Sequence, residues 1–270
     1  MDNLLSVFSY SFMVNALIAG ALISVCAALL GVILVLKRYS MIGDGLSHVG
    51  FGAMSIAAAL GLSPLSIAIP VVTISALLLM RISINSKIKG DAAIGLISTG
   101  ALAFGIIIVS VAGVNTDLNS YLFGSILSLS DTDMALSVVL CAVVVLMYIV
   151  LYNKIFAITF DESFASASGI KTGIYNSVIA VLSAVTIVLG MRMMGALLIS
   201  ALIIFPALTA MRVFKTFKTV SVFSVIIALV CFFAGMMISF WLSTPAGATV
   251  VAVNIIVFIV FSIIGFIKTR

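Results

Sequence analysis

The chain has 270 residues, of which 64% are hydrophobic and 8% are charged, whereas about a quarter of the residues in a soluble domain carry a charge. This composition excludes a soluble globular domain and indicates an integral membrane protein. The net charge of +5 does not indicate nucleic-acid binding, because the basic residues lie in short segments between apolar runs and therefore report topology.

The first apolar run extends from Met13 to Leu36 without a charged residue, which is long enough to cross a bilayer. Asp2 precedes it in place of a basic segment, and no convincing small-residue cleavage site is present. We therefore predict a retained span and not a cleaved signal peptide. The three cysteines lie in three different apolar runs, which is typical of packing residues.

Further runs of this kind predict an all-α, polytopic transmembrane bundle of eight or nine spans, in a single domain over residues 1–270. The predicted spans are 13–36, 41–61, 64–84, 91–113, 132–152, 174–191, 193–213, 219–242 and 246–267. All basic residues except Arg192 then lie in alternate loops on one side, which the positive-inside rule assigns to the cytoplasm. This topology predicts an N-terminus outside and a C-terminus in the cytoplasm.

The outer loop at 113–133 is too long for a simple turn. Its apolar segment at 121–129 is too short to span the bilayer and suits a helix at the membrane interface.

The inner loop at 153–173 predicts a short helix within about 159–170, capped by Thr159 or Asp161 and ended by Gly169. Such a helix could dock into a groove of a soluble partner or rest on lipid headgroups, and its periodicity favours neither.

The stretch MIGDGLSHVGFGA contains Asp44 and His48, and His48 is the only histidine of the chain. On a helix these positions project from one face, with Ser47 beside them. A carboxylate and an imidazole can bind one divalent transition-metal ion, and a helix from a second subunit could complete the coordination. At 1.5 Å per residue, His48 would lie about 15 Å into a hydrophobic core of about 30 Å, where ionisable residues are usually functional.

A structural interpretation of the pair is also open. Asp44 would then lie in the first helical turn, where the helix dipole favours a carboxylate, and His48 would be its local hydrogen-bond partner. The neighbouring Gly45, Gly50 and Gly52 suit either close helix contact or a narrow path.

The chain contains no GK dipeptide and therefore no phosphate-binding loop of the GxxxxGKS/T type. It also lacks a cysteine cluster and a Ser-His-Asp arrangement, so we predict that it is not an enzyme and does not itself hydrolyse ATP. Asn254 lies within a span and is, with Ser47, a candidate for lining a path, although a single asparagine more often makes an interhelical hydrogen bond.

The segment LKRYSMIGDGLSHVGFGA resembles the second-helix motif of the integral-membrane subunits of ABC importers for zinc, manganese and ferrous iron, with Gly45 and Val49 in place of the commoner alanines. The family order continues with KGDAAIGLISTGALAFG, LNSYLFGSIL, ITFDESFASASGI, MMGALLISALIIFPALTAMR and STPAGATVV. The resemblance implies a homodimeric or heterodimeric permease of the plasma membrane, with cytoplasmic ATPase subunits and an extracytoplasmic metal-binding protein as partners. It implies no permanently bound cofactor, because the metal ion, zinc or manganese and possibly iron(II), is the cargo.

By this resemblance, Asp44 and His48 match the aspartate and histidine that line the metal path of the family. The segment 160–169 matches the helix that contacts the ATPase, and its candidate coupling residues are Phe160, Asp161, Glu162, Ala165 and Gly169. One alternative is a membrane scaffold, in which the pair is a structural hydrogen bond and no ion crosses. Another is an ion-coupled secondary carrier, which the lack of a chain of carboxylates and of an inverted repeat disfavours.

Overall fold

The computed structural model describes residues 11–85, 90–113, 124 and 130–268, and all regular secondary structure in these residues is helical. In chain order the helices are α1 (Ser11–Leu36), α2 (Ile42–Ala59), α3 (Pro64–Asn85), α4 (Gly90–Ala112), α5 (Asp131–Val150), α6 (Tyr152–Phe160), α7 (Glu162–Ala167), α8 (Thr172–Met194), α9 (Ala196–Val213), α10 (Phe217–Leu242) and α11 (Ala246–Lys268). The predicted all-α bundle is confirmed. The predicted interfacial segment at 121–129 lies outside the described residues, apart from Gly124.

Each of the nine predicted spans corresponds to a long helix. Within the described ranges, eight helices have the length and mean hydropathy of a membrane-spanning segment. The helix that does not reach this hydropathy is α2, because Asp44, His48 and several glycines dilute its apolar residues. The long helix with the lowest mean hydropathy is therefore the one that carries Asp44 and His48.

The core of the bundle is built around α1. Most residues of α1 between Met13 and Leu36 are buried, whereas few residues of α11 are. The helices α5, α8, α9 and α10 all pack against α1, and α2 packs most extensively against α4 and α3. A buried central helix that is apolar all round is expected where neighbouring helices enclose it on every side.

The short helix α7 has the caps that local sequence rules predict. Its N-cap is Asp161, whose Oδ1 accepts a hydrogen bond of 2.8 Å from the backbone N–H of Phe164. Thr159, the other predicted cap, instead donates to the carbonyl of Ile155 within α6. Gly169 follows α7 with φ 84°, a left-handed conformation that glycine adopts without steric cost.

Contacts between helix termini give the bundle two ends: Lys37, directly after α1, bonds to Asn176 in the first turns of α8, whereas Arg192, in the last turn of α8, pairs with Asp133 in the first turn of α5. We call them the Lys37 end and the Arg192 end after one basic residue at each. At the Arg192 end, the guanidinium of Arg192 lies 2.8 Å from the carboxylate of Asp133, which is only 2% exposed. Asp133 also forms a capping box with Ser130 at the start of α5.

The basic residues segregate between these ends as the sequence predicts. Among described residues, every lysine and arginine except Arg192 lies at the Lys37 end: Lys37, Arg38, Arg81, Lys154, Lys171, Arg212, Lys215, Lys218 and Lys268. Lys87, Lys89 and Arg270, together with the acidic Asp2 and Asp117, lie outside the described residues.

Candidate functional site

Asp44 and His48 form the open face of an otherwise enclosed helix. From Ile42 to Ser55, every residue of α2 is buried except these two. Their side chains are 46% and 30% exposed, respectively. Ionisable residues on the open face of an intramembrane helix are expensive unless they face water, a partner or a passing ion.

The two side chains are separated by a distance that suits a shared metal ion. Oδ2 of Asp44 lies 3.6 Å from Nε2 of His48. Two ligand atoms that each bind one ion at about 2.1 Å with a tetrahedral angle between them lie about 3.4 Å apart. The pair therefore needs only a small adjustment to hold a divalent cation between its oxygen and its nitrogen.

One chain supplies only part of a coordination sphere. The described part of the sequence contains no group of three or more histidine, cysteine, aspartate or glutamate side chains arranged to hold a metal ion. Transition-metal sites use four or more ligands, so the remaining ones would have to be water or groups from another chain. Two protein ligands favour transient binding over permanent retention.

Glycines near the pair allow α2 to approach its neighbours closely. A Cβ added at Gly45 would meet the side chain of Ile94, and one at Gly52 would meet the backbone carbonyl of Ala101, both in α4. A Cβ at Gly105 would lie 2.7 Å from the Cα of Gly52. These glycines therefore serve close helix contact, the first of their two predicted uses.

The two predicted path-lining residues make hydrogen bonds within their own helices. Ser47 is fully buried, and its hydroxyl donates to the carbonyl of Asp44 at 2.7 Å. Asn254 is 1% exposed, and its amide donates to the carbonyl of Val250 at 2.9 Å. In this structure neither side chain shares the exposed face of Asp44 and His48.

The predicted coupling segment lies at the Lys37 end, and its residues differ in accessibility. Phe160, Asp161 and Gly169 are exposed, whereas Ala165 is fully buried and supports α7 from within. The most prominent apolar side chain is Phe164 of α7, which is 66% exposed. Phe164 is absent from the set of coupling residues predicted by resemblance, although a lone phenylalanine within the small and polar run ESFASAS is a visible signal.

Glu162 belongs to a three-residue cluster that joins three helices. Nζ of Lys37, directly after α1, donates to Oε2 of Glu162 at 3.2 Å and to Oδ1 of Asn176 at 2.6 Å. The amide of Asn176, in α8, donates in turn to Oε1 of Glu162 at 2.7 Å. We call this closed set of hydrogen bonds the Lys37 ring. Lys37 is 7% exposed, and its burial lowers the pKa of the ammonium below its usual range, an effect that the charge of Glu162 opposes.

A groove of about 1230 Å³ lies beside the Lys37 ring, between α3 and α8. Arg81, Ser166 and Asn176 are among its lining residues, and neither Asp44 nor His48 is. This groove is therefore separate from the candidate metal-binding pair, which lies on an exposed helix face instead.

The chain has relatives with transport functions. It is 32% identical to the "Manganese import system permease protein ScaB" of Streptococcus gordonii, over 93% of this chain and 90% of that protein. It is 27% identical to the "High-affinity zinc uptake system membrane protein ZnuB" of Haemophilus influenzae, over 93% of this chain and 96% of that protein.

A solved structure has the same architecture. PsaBC from Streptococcus pneumoniae, in complex with Fab, contains a chain that superposes with a TM-score of 0.82 and 31% identity, covering 93% of this chain and 91% of that one. Residues 9–265 match the sequence pattern of the ABC 3 transport family. The chain therefore belongs to the ABC 3 transport family.

Proposed function

We propose that the Asp44–His48 pair lines the route by which this permease moves a divalent transition-metal ion across the membrane. The observation that carries the proposal is the pair itself, with 3.6 Å between its ligand atoms on the one open face of a buried helix. As a member of its family the chain is a multi-span permease of the plasma membrane, and ATP hydrolysis belongs to a separate subunit.

A second permease subunit would complete the site. Asp44 and His48 are half-exposed although they lie on a helix that is otherwise enclosed, as expected for an apposed surface in a dimer. A copy of the pair from the second subunit would raise the number of protein ligands to four, which satisfies a tetrahedral ion.

The partner ATPase would bind at the Lys37 end. Support comes from α7, a capped six-residue helix that presents Phe164 and the neighbouring Phe160 at high exposure. Exposed aromatic side chains on a short rigid element are typical anchors for a groove of a soluble partner. The basic residues of this end support a cytoplasmic location for it, and the Arg192 end would then face an extracytoplasmic metal-binding protein.

The cargo would be zinc or manganese, and iron(II) is also compatible with the ligands. One carboxylate oxygen and one imidazole nitrogen per chain suit all three ions. The named relatives include permeases of manganese and of zinc systems. A route needs only transient affinity, so selectivity between these ions would reside in the protein that delivers them.

The test is metal uptake by cells or vesicles that contain the complete transporter, normalised to the amount of membrane-inserted permease. Asp44→Asn keeps the size of the side chain but removes its charge, and His48→Ala removes the nitrogen ligand. We expect both variants to abolish uptake of manganese and zinc while expression and dimerisation persist.

Ser55→Ala provides a matched control on the same helix. Ser55 is buried and its hydroxyl has no hydrogen-bond partner, so this change should leave uptake intact. Normal uptake by Asp44→Asn would contradict the proposal. A scaffold would lose membrane-inserted protein on His48→Ala, with no separate loss of function.

A further inference from the structure

The Lys37 ring connects α7 to a part of the chain that is distant in sequence. Lys37 and Glu162 are 125 positions apart, and Lys37 and Asn176 are 139 apart. Each of the three residues bonds to both of the others, so Lys37 donates to two acceptors and both carboxylate oxygens of Glu162 are used. Such a closed arrangement holds all three side chains in one geometry.

The hydrogen bonds of the Lys37 ring are hard to break because two of its three side chains are buried. The side chains of Lys37 and Asn176 are 7% and 4% exposed, whereas Glu162, at 40%, reaches towards the surface. An ammonium with this little access to water depends on its partners for compensation of its charge. A movement of α7 would therefore displace Lys37 together with Glu162, because breaking the ion pair would leave the buried ammonium without its counter-charge.

The backbone between Lys37 and Asp44 is a compact, hydrogen-bonded turn. The N–H of Lys37 donates to the carbonyl of Ile33, and the N–H of Tyr39 donates to that of Leu34. Arg38 has φ 64°, a left-handed conformation that is rare for a residue with a side chain. The N–H of Ile42, the first residue of α2, donates to the carbonyl of Tyr39, so displacement of this turn would displace the start of the helix that carries Asp44.

The surroundings of α7 leave it free to respond to a partner. Apart from Ala165 and the half-buried Glu162, the residues of α7 are exposed. The groove between α3 and α8 borders its C-terminal end, where Ser166 lines open space. The Lys37 ring is accordingly a direct polar connection from α7 to the transmembrane body.

We propose that Lys37 and Asn176 are positioning residues, which with Glu162 transmit the position of α7 to the start of α2 and so to the Asp44–His48 pair. The proposal rests on the proposed function, in which α7 contacts the ATPase. It adds the chain of contacts by which ATP hydrolysis would alter the metal-binding pair. The coupling element is the turn between α1 and α2, which contacts α7 through Lys37 and leads directly into the helix that carries Asp44 and His48.

The experiment compares Lys37→Met, Asn176→Leu and the double variant in the complete transporter, with permease, ATPase and metal-binding protein reconstituted in lipid vesicles. The measured quantities are ATPase association, ATP hydrolysis and the number of manganese ions moved per ATP. We expect association and hydrolysis to stay within about twofold, while the ions moved per ATP fall by about tenfold in both single variants. The double variant should resemble Lys37→Met alone, because both changes interrupt the same connection.

Lys154→Met is the matched control. Lys154 is also a lysine at the Lys37 end that donates to α8, with Nζ 2.8 Å from the hydroxyl of Tyr175, but this bond is exposed and does not involve α7. The control should keep the normal number of ions per ATP.

Two results would overturn the proposal: an unchanged number of ions per ATP in Lys37→Met, or losses of uptake and hydrolysis that simply follow the amount of folded permease. Failure of the proposed function has a different signature. The unaltered complex would move no metal, or Asp44→Asn would move it normally, whatever the ring variants do.

Discussion

The close crossing of α2 and α4 gives a quantitative prediction for Gly105→Ala. Gly105 is buried in α4, and a Cβ at this position would lie 2.7 Å from the Cα of Gly52 in α2. Carbon atoms in contact are usually about 3.5–4.0 Å apart, so the helices would have to separate locally by about 1 Å. The atom that blocks the new methyl group belongs to the backbone and cannot rotate away.

The expected cost follows from two opposing effects. Overpacking of a well-packed interior costs about 1–3 kcal/mol. Replacing glycine by alanine within a helix returns about 0.5–1 kcal/mol through reduced backbone entropy of the unfolded state. We therefore expect Gly105→Ala to destabilise the permease by up to about 2.5 kcal/mol and to reduce metal uptake, because α2 carries Asp44 and His48.

Gly100→Ala separates the two effects on the same helix. A Cβ at Gly100 would meet nothing within 4 Å in this chain. Gly100→Ala should therefore stabilise the helix, because alanine has the higher helix propensity and the added methyl group meets no neighbour. The assay is thermal unfolding of the purified permease in detergent, combined with uptake per inserted molecule. Equal stability and equal uptake of the two variants would refute the argument that the α2–α4 contact depends on glycine.

Three further predictions concern the ends of the bundle. Single cysteines at the exposed positions Lys215 and Thr244 should be labelled only from the cytoplasm and only from outside, respectively, and labelling of both from one side would contradict the predicted topology. Arg192→Gln leaves the carboxylate of Asp133, which is 2% exposed, without a cation. Because solvent screens the charge of Arg192, which is 39% exposed, the free energy of unfolding should fall by only about 1–2 kcal/mol, and an unchanged unfolding temperature would contradict this. Phe164→Ala should reduce co-purification of the ATPase, whereas Ser163→Ala, exposed on the same helix, should not; equal co-purification would remove Phe164 from the docking surface.

The sequence by itself determined those features that depend on local rules. The long helices and the segregation of basic residues follow from apolar run length and loop charge. Capping chemistry predicted a cap for α7 at Thr159 or Asp161, and the structure has it at Asp161. The proximity of Asp44 and His48 is local as well, because positions four apart on a helix share a face. Family resemblance then suggested a cargo for the pair.

Only the tertiary structure decided which side chains meet across the bundle. Nothing in the local sequence indicates that Lys37 bonds to Glu162, since loop closure over 125 positions depends on how α1, α7 and α8 pack. The inward orientation of Ser47 and the burial of Ala165 likewise depend on neighbouring helices and not on spacing. Helix periodicity defines the faces of an element, but the direction in which each face points is set by packing of the whole molecule.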